Sequence, residues 1–243
     1  MTMGTVFATG AAGGIGEATV ARLLDDGYTV VAADISREGL DALARQHEGQ
    51  PLHTIAADLT DEQAAREAVR TARREVGQID RLVNLIGWFG TQPFVQEDSA
   101  YWRKTIAINF EALLYVTHEI LPEMIERKRG KIVNVTSDAG KVGQSGEAVY
   151  SGTKGAVIAW SKSLARENAR YGLNINCTAP GPTETALELA QDSDVIGRVI
   201  RVIPFRRFAK PAEQAAMISF LCGPDSDFIT GQVFSVSGGL TMI

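Results

Sequence analysis

The sequence predicts an α/β protein: a single domain with a doubly wound, mostly parallel sheet of seven strands and helices on both faces. Two observations predict this class. Apolar runs of strand length alternate with amphipathic helical stretches along the chain, as in sheets whose parallel strands are joined by helical crossovers. The 243 residues are 45% hydrophobic, which is enough for one large core. No repeat, low-complexity tract or linker divides residues 1–243.

The first half of the chain supplies four of the strands. Each is a short apolar run that ends before an amphipathic stretch with apolar residues three or four positions apart. In order, we expect a strand at Thr5–Thr9, a helix at Gly14–Asp26, a strand at Tyr28–Ala33, a helix at Arg37–His47, a strand at Leu52–Ala57, a helix at Asp61–Val76 and a strand at Leu82–Ile86.

The second half continues the alternation and contains one exception. We expect a long helical region from about Ala100 to Arg127, a strand at Lys131–Thr136, a helix at Val149–Tyr171, a strand at Asn174–Thr178, a helix at Pro211–Leu221 and a strand at Gln232–Val236. The stretch Gly181–Lys210 is poorly patterned and too long for an ordinary connection. We therefore predict a substrate lid at about 181–210.

Charge and composition exclude several classes of protein. The net charge of −5 does not favour nucleic-acid binding, and no apolar run is long enough to span a membrane. The N-terminus lacks the basic region and cleavage site of a signal peptide. Cys177 and Cys222 lie in apolar surroundings, which predicts buried, reduced thiols in a cytoplasmic protein. No metal site is expected from the scattered histidines His47, His53 and His118.

A glycine-rich turn, "ATGAAGGIG", follows the first strand and opens the first helix. Gly10, Gly14 and Gly16 allow a sharp turn and the close approach of a phosphate, while the free amides of the helix N-terminus face it. A tight turn without a ligand is the alternative. The strand before, the helix after and the acidic Asp34 at the end of the second strand favour a dinucleotide, as in the Rossmann fold.

Asp34 predicts which dinucleotide is bound. A carboxylate at this position accepts hydrogen bonds from the adenosine ribose hydroxyls and repels a 2′-phosphate, which favours NAD over NADP. No Arg or Lys stands at positions 35 or 36, although Arg37 is close. The alternative role for Asp34 is to cap the following helix, a role that Ser36 could fill instead.

Several further motifs stand in a fixed order: "AADL" around Asp58, Asn84 in the fourth strand, Asn109 in a helix, Ser137 thirteen positions before Tyr150, Lys154, and "PGPTET" after the sixth strand. With the glycine turn they resemble the short-chain dehydrogenase/reductase family over the whole chain. The resemblance implies an NAD-dependent homotetramer with Asn109, Ser137, Tyr150 and Lys154 as catalytic residues. It implies cofactor contacts at Gly10, Gly14, Ile15, Gly16, Asp34, Asp58, Leu59, Asn84, Gly87, Tyr150, Lys154, Pro180, Gly181, Thr183 and Thr185.

Hydride transfer between a secondary alcohol and nicotinamide requires a proton to leave or join the oxygen. Tyr150 and Lys154 are spaced to share one helix face, and a nearby ammonium favours the phenolate that tyrosine otherwise forms only near pH 10. Ser137 would hydrogen-bond the substrate oxygen. The resemblance implies that Lys154 reaches the nicotinamide ribose and that Asn109 holds a water linking Lys154 to solvent. Without the glycine turn and Ser137, an ordinary amphipathic face would be the better interpretation.

The segment "NLIGW" departs from the family, which usually has a second asparagine at Leu85 and alanine at Ile86. The departure narrows the space beside the cofactor and leaves the acid–base residues untouched. Nearby residues at the carboxyl ends of strands are candidate walls of a substrate pocket, although core or subunit contacts are an alternative. These pocket candidates are Trp88, Phe89, Gln144 and Leu187.

The segments "SDAGKVGQSGEAVY" and "FITGQVFSVSGGLTM" resemble alicyclic hydroxyacyl-CoA dehydrogenases, which oxidise 2-hydroxycyclohexanecarboxyl-CoA. The resemblance implies a cyclic hydroxyacyl-CoA substrate. CoA phosphates could meet a basic cluster, for which a solvated face is the alternative: Arg198, Arg201, Arg206, Arg207 and Lys210. Competing functions are a 3-oxoacyl-carrier-protein reductase, a dehydrogenase of small cyclic or aromatic alcohols, and a non-catalytic dinucleotide sensor.

Overall fold

The computed structural model of the protein describes residues 3–190 and 193–243, except for the side chain of Leu187. Seven strands in this part of the chain form one sheet, in which every pair is parallel. The strands are β1 (Thr5–Thr9), β2 (Thr29–Asp34), β3 (Leu52–Ala56), β4 (Arg81–Asn84), β5 (Gly130–Val135), β6 (Leu173–Pro180) and β7 (Val233–Val236).

The strand order is β3-β2-β1-β4-β5-β6-β7, so β1 pairs with β2 on one side and with β4 on the other. The chain winds outward in both directions from this point. Such a reversal opens a crevice at the carboxyl ends of the strands, where open α/β sheets bind ligands. The predicted single-domain, doubly wound fold is confirmed, and its sheet is parallel throughout.

Helices cover both faces of the sheet and divide the interior into two apolar layers. On one face three helices contribute residues such as Ala65, Val116 and Ala165 to the core. On the other, three further helices contribute residues such as Leu40 and Ile218. The helices are α1 (Gly14–Asp25), α2 (Arg37–Gln46), α3 (Glu62–Val76), α4 (Ser99–Ile106), α5 (Ala112–Arg127), α6 (Ala139–Val142), α7 (Ala148–Asn168), α8 (Ala186–Leu189), α9 (Ser193–Val202) and α10 (Pro211–Cys222).

Two of the differences from the sequence prediction have identifiable physical reasons. The fourth strand ends at Asn84 rather than Ile86, because the amides of Leu85 and Ile86 donate to Thr9 Oγ1 at 3.1 and 3.4 Å. The long helix expected from about residue 100 to 127 is interrupted by a π-helical turn, Ala107–Glu111, between α4 and α5. Both differences lie beside the crevice.

The two cysteines are buried and free, as predicted. Burial raises the pKa of the Cys177 thiol to about 11 and that of Cys222 to about 12, so both remain protonated and unreactive near neutral pH. Across the described residues, no helix combines the length and the apolar character needed to cross a membrane.

Candidate active site

A cleft of about 1450 Å³ lies at the carboxyl ends of the strands and runs from the glycine turn to α9. Most residues predicted to bind cofactor or substrate line it. Those of the cofactor set are Gly10, Gly14, Ile15, Gly16, Asp34, Asp58, Leu59, Gly87, Tyr150, Lys154, Pro180, Gly181, Thr183 and Thr185, and the cleft also includes Ser137, Trp88, Phe89 and Gln144. The side chain of the fourth pocket candidate, Leu187, lies outside the described part of the structure.

The glycine turn has the shape that a pyrophosphate requires. Gly10 has φ of +64°, and a Cβ there would stand 2.8 Å from Ile86 N. A Cβ at Gly16 would lie 2.2 Å from Gly10 O, so only glycine lets α1 start this close to β1. Gly13 caps α1 without a side chain, which leaves the amides of the first turn open to the cleft.

The loop after β6 closes over the glycine turn from the opposite side. A Cβ at Gly14 would lie 3.1 Å from Thr185 Cγ2, so these two segments nearly touch across the cleft. Thr185 Oγ1 accepts from Glu188 N at 3.3 Å and starts α8. Thr183 Oγ1 donates to Gly181 O at 2.9 Å and accepts from Gln214 Nε2 at 3.1 Å, which fixes the loop to α10.

Asp34 is held at the edge of the cleft by two backbone amides. Its Oδ2 accepts from Ala12 N at 3.0 Å and its Oδ1 from Ser36 N at 2.9 Å. Ser36 Oγ accepts from Gly39 N and caps α2, so Asp34 does not serve as the cap. Each Asp34 oxygen keeps a lone pair for a further donor, such as a ribose hydroxyl.

Three other predicted cofactor residues have different surroundings. Asp58 is exposed, and its Oδ1 accepts from Thr60 N at 2.9 Å and from Thr60 Oγ1 at 2.6 Å, while Leu59 is buried. Asn84 is fully buried behind the cleft lining, where its Nδ2 donates to Asn134 Oδ1 at 2.8 Å across the β4–β5 pair. The Asn84 side chain therefore stabilises the sheet, and any contact with a cofactor would come from its backbone.

Ser137 and Tyr150 meet at the end of β5. The Ser137 hydroxyl hydrogen-bonds the Tyr150 phenol and also accepts from Ala139 N at 3.1 Å. Tyr150 lies in the first turn of α7, and its ring packs against Phe89 with the centroids 5.6 Å apart. The serine can thus hold a substrate oxygen within reach of the phenol.

Lys154 is buried one turn further along α7. Its Nζ donates to Val135 O at 3.1 Å, and desolvation lowers the pKa of the ammonium to about 8. Thr136 Oγ1 donates to Lys154 O at 2.8 Å, which ties α7 to β5 at this residue. Lys154 therefore exchanges its proton close to neutral pH far more readily than an exposed lysine.

The expected effect of Lys154 on Tyr150 is not found in the protein alone. Burial is the main influence on Tyr150 and raises the pKa of its phenol, with further increases from the nearby Glu147 and Glu188; the bond from Ser137 lowers it. Lys154 Nζ lies 5.8 Å from the centre of the Tyr150 ring, and its ammonium does not offset the loss of solvation of the phenol. The sequence prediction omitted this desolvation.

Asn109 lies in the π-helical turn and is fully buried. Its Nδ2 donates to Trp88 O at 2.7 Å and to Thr105 O at 2.9 Å, and its Oδ1 accepts from Trp88 N at 3.1 Å. A Cβ at Gly87 would lie 3.3 Å from both Asn109 Oδ1 and Lys154 Nζ. Gly87 thus keeps open a gap between these two groups that could hold a water.

The far end of the cleft is apolar on two sides. Trp88 packs edge-on against Tyr101 with centroids 5.3 Å apart, and Lys104 Nζ lies 3.9 Å above the Trp88 ring. From the opposite side, α9 lines the cleft with the three valines of one face, Val195, Val199 and Val202. The sequence reading missed α9, which falls within the poorly patterned stretch.

Acidic side chains at this end were also missed. Glu147 and Glu188 both line the cleft near Tyr150. Burial, reinforced by repulsion from Glu188, raises the pKa of Glu147 to about 7, whereas a hydrogen bond with Thr91 opposes the increase. The sequence signal that could have identified Glu147 was its position three residues before Tyr150.

The basic cluster at residues 198–210 does not line the cleft within the described residues. Arg207 forms an ion pair with Glu213 at 2.6 Å, and Arg206 donates to the backbone of Arg201. Lys210 N donates to Glu213 Oε2 at 2.7 Å at the start of α10. These contacts match the solvated-face alternative. The described residues contain no group of His, Cys, Asp and Glu that could hold a metal ion.

A family model and two curated relatives each match almost the whole chain. A family model described as enoyl-(acyl carrier protein) reductase matches residues 10–241. The acetoacetyl-CoA reductase of Allochromatium vinosum is 38% identical over 96% of this chain and 97% of its own. The 3-oxoacyl-[acyl-carrier-protein] reductase of Thermotoga maritima is 36% identical over 96% of both chains.

A solved structure of a similar reductase superposes on almost the whole chain. The 3-ketoacyl-(acyl-carrier-protein) reductase from Brucella melitensis, crystallised with NADH, superposes with a TM-score of 0.94 at 27% identity over 99% of both chains. The agreement extends over the whole sheet and its helices.

Proposed function

The chain belongs to the short-chain dehydrogenase/reductase family, and on that premise we propose that it is an NAD(H)-dependent oxidoreductase of hydroxyacyl thioesters. Family membership makes it an oxidoreductase that acts on secondary alcohol or ketone groups. The choice of NAD and the thioester substrate are our proposals. The observation that carries the reaction itself is that Ser137, Tyr150 and Lys154 converge on a cleft whose other end is a dinucleotide-shaped turn.

The residues of the cleft fit a nicotinamide dinucleotide. The glycine turn provides a cradle that a Cβ at Gly16 would fill, and the open amides of α1 suit a pyrophosphate. Asp34 can accept from ribose hydroxyls and would repel a 2′-phosphate. Among the described lining residues the cations are Lys104 and Lys154, which contact Trp88 and Val135 rather than the Asp34 end. These features support NAD over NADP.

When bound, the nicotinamide would accept or supply the hydride. Ser137 would hold the substrate oxygen, and Tyr150 would exchange a proton with it through the phenol. Because burial raises the pKa of Tyr150, the protein alone favours the protonated phenol, which suits proton donation to a ketone. In the oxidative direction, the positive charge of the oxidised ring would favour the phenolate.

Lys154 would return protons to Tyr150. With a pKa of about 8, its ammonium gives up a proton near neutral pH at little cost. The gap beside Gly87 lies between Lys154 Nζ and Asn109 Oδ1, which supports a bridging water there. Such a water would connect the buried lysine to solvent and complete the proton path.

The substrate that we propose is a hydroxyacyl-CoA, with the cyclic ester 2-hydroxycyclohexanecarboxyl-CoA as first candidate. Trp88, Phe89 and the valines of α9 suit an apolar ring or short chain. The free acid would bring its carboxylate close to Glu147 and Glu188, whereas a thioester is neutral at that position. The basic cluster does not reach the cleft lining, so it gives this proposal no support.

A second candidate is reduction of a 3-oxoacyl thioester carried on acyl carrier protein. The identity with the Thermotoga maritima reductase favours it. Asp34 argues against it only if the reaction requires NADPH. For both candidates we propose a cytoplasmic location, consistent with the two buried free thiols.

A panel of substrates tests the proposed function. The purified protein would receive NAD or NADP with 2-hydroxycyclohexanecarboxyl-CoA, 3-hydroxybutyryl-CoA, the free acids and cyclohexanol, and the absorbance of reduced nicotinamide would be followed. We expect both thioesters to exceed their acids in kcat/KM, with NAD preferred. Thioesters that perform no better than cyclohexanol would contradict the thioester proposal.

A further inference from the structure

Glu147 has no role in the hydride and proton transfer proposed above. It immediately precedes α7, lines the cleft, and acts electrostatically on Tyr150 three residues later. It is the N-cap residue of α7 and precedes Tyr150 by about one helical turn. A substrate oxygen held by Tyr150 therefore has Glu147 as its neighbour along the cleft.

The backbone around Glu147 is fixed by neighbouring segments. Ser151 N donates to Glu147 O at 2.8 Å, and Glu147 N donates to Gln144 O at 3.1 Å. Gln92 N donates to Gly146 O at 2.8 Å, which joins this turn to the loop after β4, and Thr91 of that loop hydrogen-bonds the carboxyl. The carboxyl is consequently held in place before any substrate arrives.

We propose that Glu147, in its protonated form, donates a hydrogen bond to the acyl carbonyl oxygen of the thioester and so determines specificity for acyl thioesters. The inference rests on the proposed function. In a 3-hydroxyacyl thioester the reacting oxygen and the acyl oxygen are separated by three carbons, a span that the Tyr150 and Glu147 side chains can bracket. An ionised carboxylate could not donate, and it would repel the carbonyl oxygen.

The proton is retained chiefly because burial disfavours the ionised carboxylate of Glu147, and secondly because of the groups that face it. Glu188 on α8 is the like charge that opposes ionisation, while Tyr150 on α7 and Tyr101 on α4 are the other titratable neighbours. Together with burial, Glu188 raises the pKa of Glu147 to about 7. The donor is therefore present below this pH and is lost above it.

The test compares two uncharged substrates in one enzyme. The N-acetylcysteamine thioester of 3-hydroxybutyrate carries the acyl carbonyl and avoids the titrating phosphates of CoA, whereas cyclohexanol has no carbonyl. The ratio of their kcat/KM values cancels the titration of Tyr150 and Lys154, which act on both. We expect this ratio to fall about 10-fold as pH rises from about 6 to about 8, since a donor is replaced by a charge.

Variants separate proton donation from other roles. Glu147→Gln donates through its amide at every pH, so the ratio should stay high and become independent of pH. Glu147→Ala should lower the ratio at every pH. Glu188→Gln removes the like charge and should move the fall to lower pH. The exposed Glu48→Gln is the matched control and should behave as wild type.

A Glu147→Gln enzyme that keeps the wild-type pH dependence, or a Glu147→Ala enzyme that keeps the preference for the thioester, would overturn the inference. Thermal unfolding of each variant shows that it is folded. If the thioester is oxidised with a higher kcat/KM than cyclohexanol but the wild-type ratio is independent of pH, the inference fails and the proposed function stands. If neither is oxidised by protein that binds NADH, both fail together.

Discussion

Single residues in the cleft owe their chemistry to burial as much as to charge. The pKa of Lys154 falls and those of Tyr150 and Glu147 rise, each chiefly through desolvation. The identities and spacing of Tyr150 and Lys154 were readable from the sequence because they lie on one helix. Their burial was not, because it depends on β5 and the loop after β4, which are distant along the chain.

Asp34 should control the choice of cofactor. Asp34→Asn removes the charge, keeps an acceptor for the backbone amide of Ala12 or Ser36, and should lower the NAD-to-NADP preference in kcat/KM about 10-fold or more. The exposed Asp41→Asn on α2 is the control and should leave the preference unchanged. Wild-type protein that uses NADP better than NAD would show that Asp34 does not have this role.

Lys154 should reduce stability while it supports catalysis. Its pKa falls from 10.5 to about 8 on folding, so the unfolded chain binds the proton more tightly, and the folded state is destabilised at neutral pH. Lys154→Met should abolish turnover and raise the free energy of unfolding at pH 7 by about 1–3 kcal/mol. This increase in the free energy of unfolding should shrink as pH rises from about 8 towards 10.5. Denaturant unfolding at both ends of this range measures it, and a loss of stability at pH 7 would refute the argument.

At the scale of elements, α9 should act on substrate binding. Val199 lines the cleft from its apolar face, whereas Arg198 next to it is exposed and lies outside the described lining. Val199→Asn should raise KM for a thioester about 10-fold with little change in kcat, since apolar contact with the bound substrate is lost. Arg198→Gln is the matched control. An unchanged KM in Val199→Asn would show that α9 does not contribute to substrate binding.

Sequence patterns were sufficient to predict some of the helices and strands but not others. Alternating strand and helix patterns correctly predicted the seven strands and their helical crossovers, because each pattern is local. The π-helical turn was not predictable, since it accompanies contacts between Asn109 and the backbone of Trp88, which comes from another element. Helix α9 was missed although Val195, Val199 and Val202 recur at helical spacing, because the prediction treated residues 181–210 as one poorly patterned stretch. The lid role of residues 181–210 stays a prediction.

At the scale of the whole molecule, exposed apolar side chains predict self-association. Phe228 is fully exposed, Phe220 on α10 is 38% exposed, and β7 is an edge strand of the sheet. On α7, Trp160 packs edge-on against Phe110 with the centroids 6.3 Å apart. We expect a homotetramer by light scattering at micromolar concentration, and Phe228→Asp should dissociate it into smaller species. A monomeric wild type would contradict this prediction.

Tyr150 is the residue whose phenol we propose transfers the proton in a nicotinamide-dependent oxidation. Tyr150→Phe keeps the ring that packs against Phe89 and removes the oxygen alone. The most direct measurement is turnover of this variant with NAD and a hydroxyacyl-CoA, beside its binding of NADH by fluorescence. We expect unchanged binding of NADH and turnover lowered about 10²–10⁴-fold. Turnover close to wild type in a variant that binds NADH would contradict this proposal.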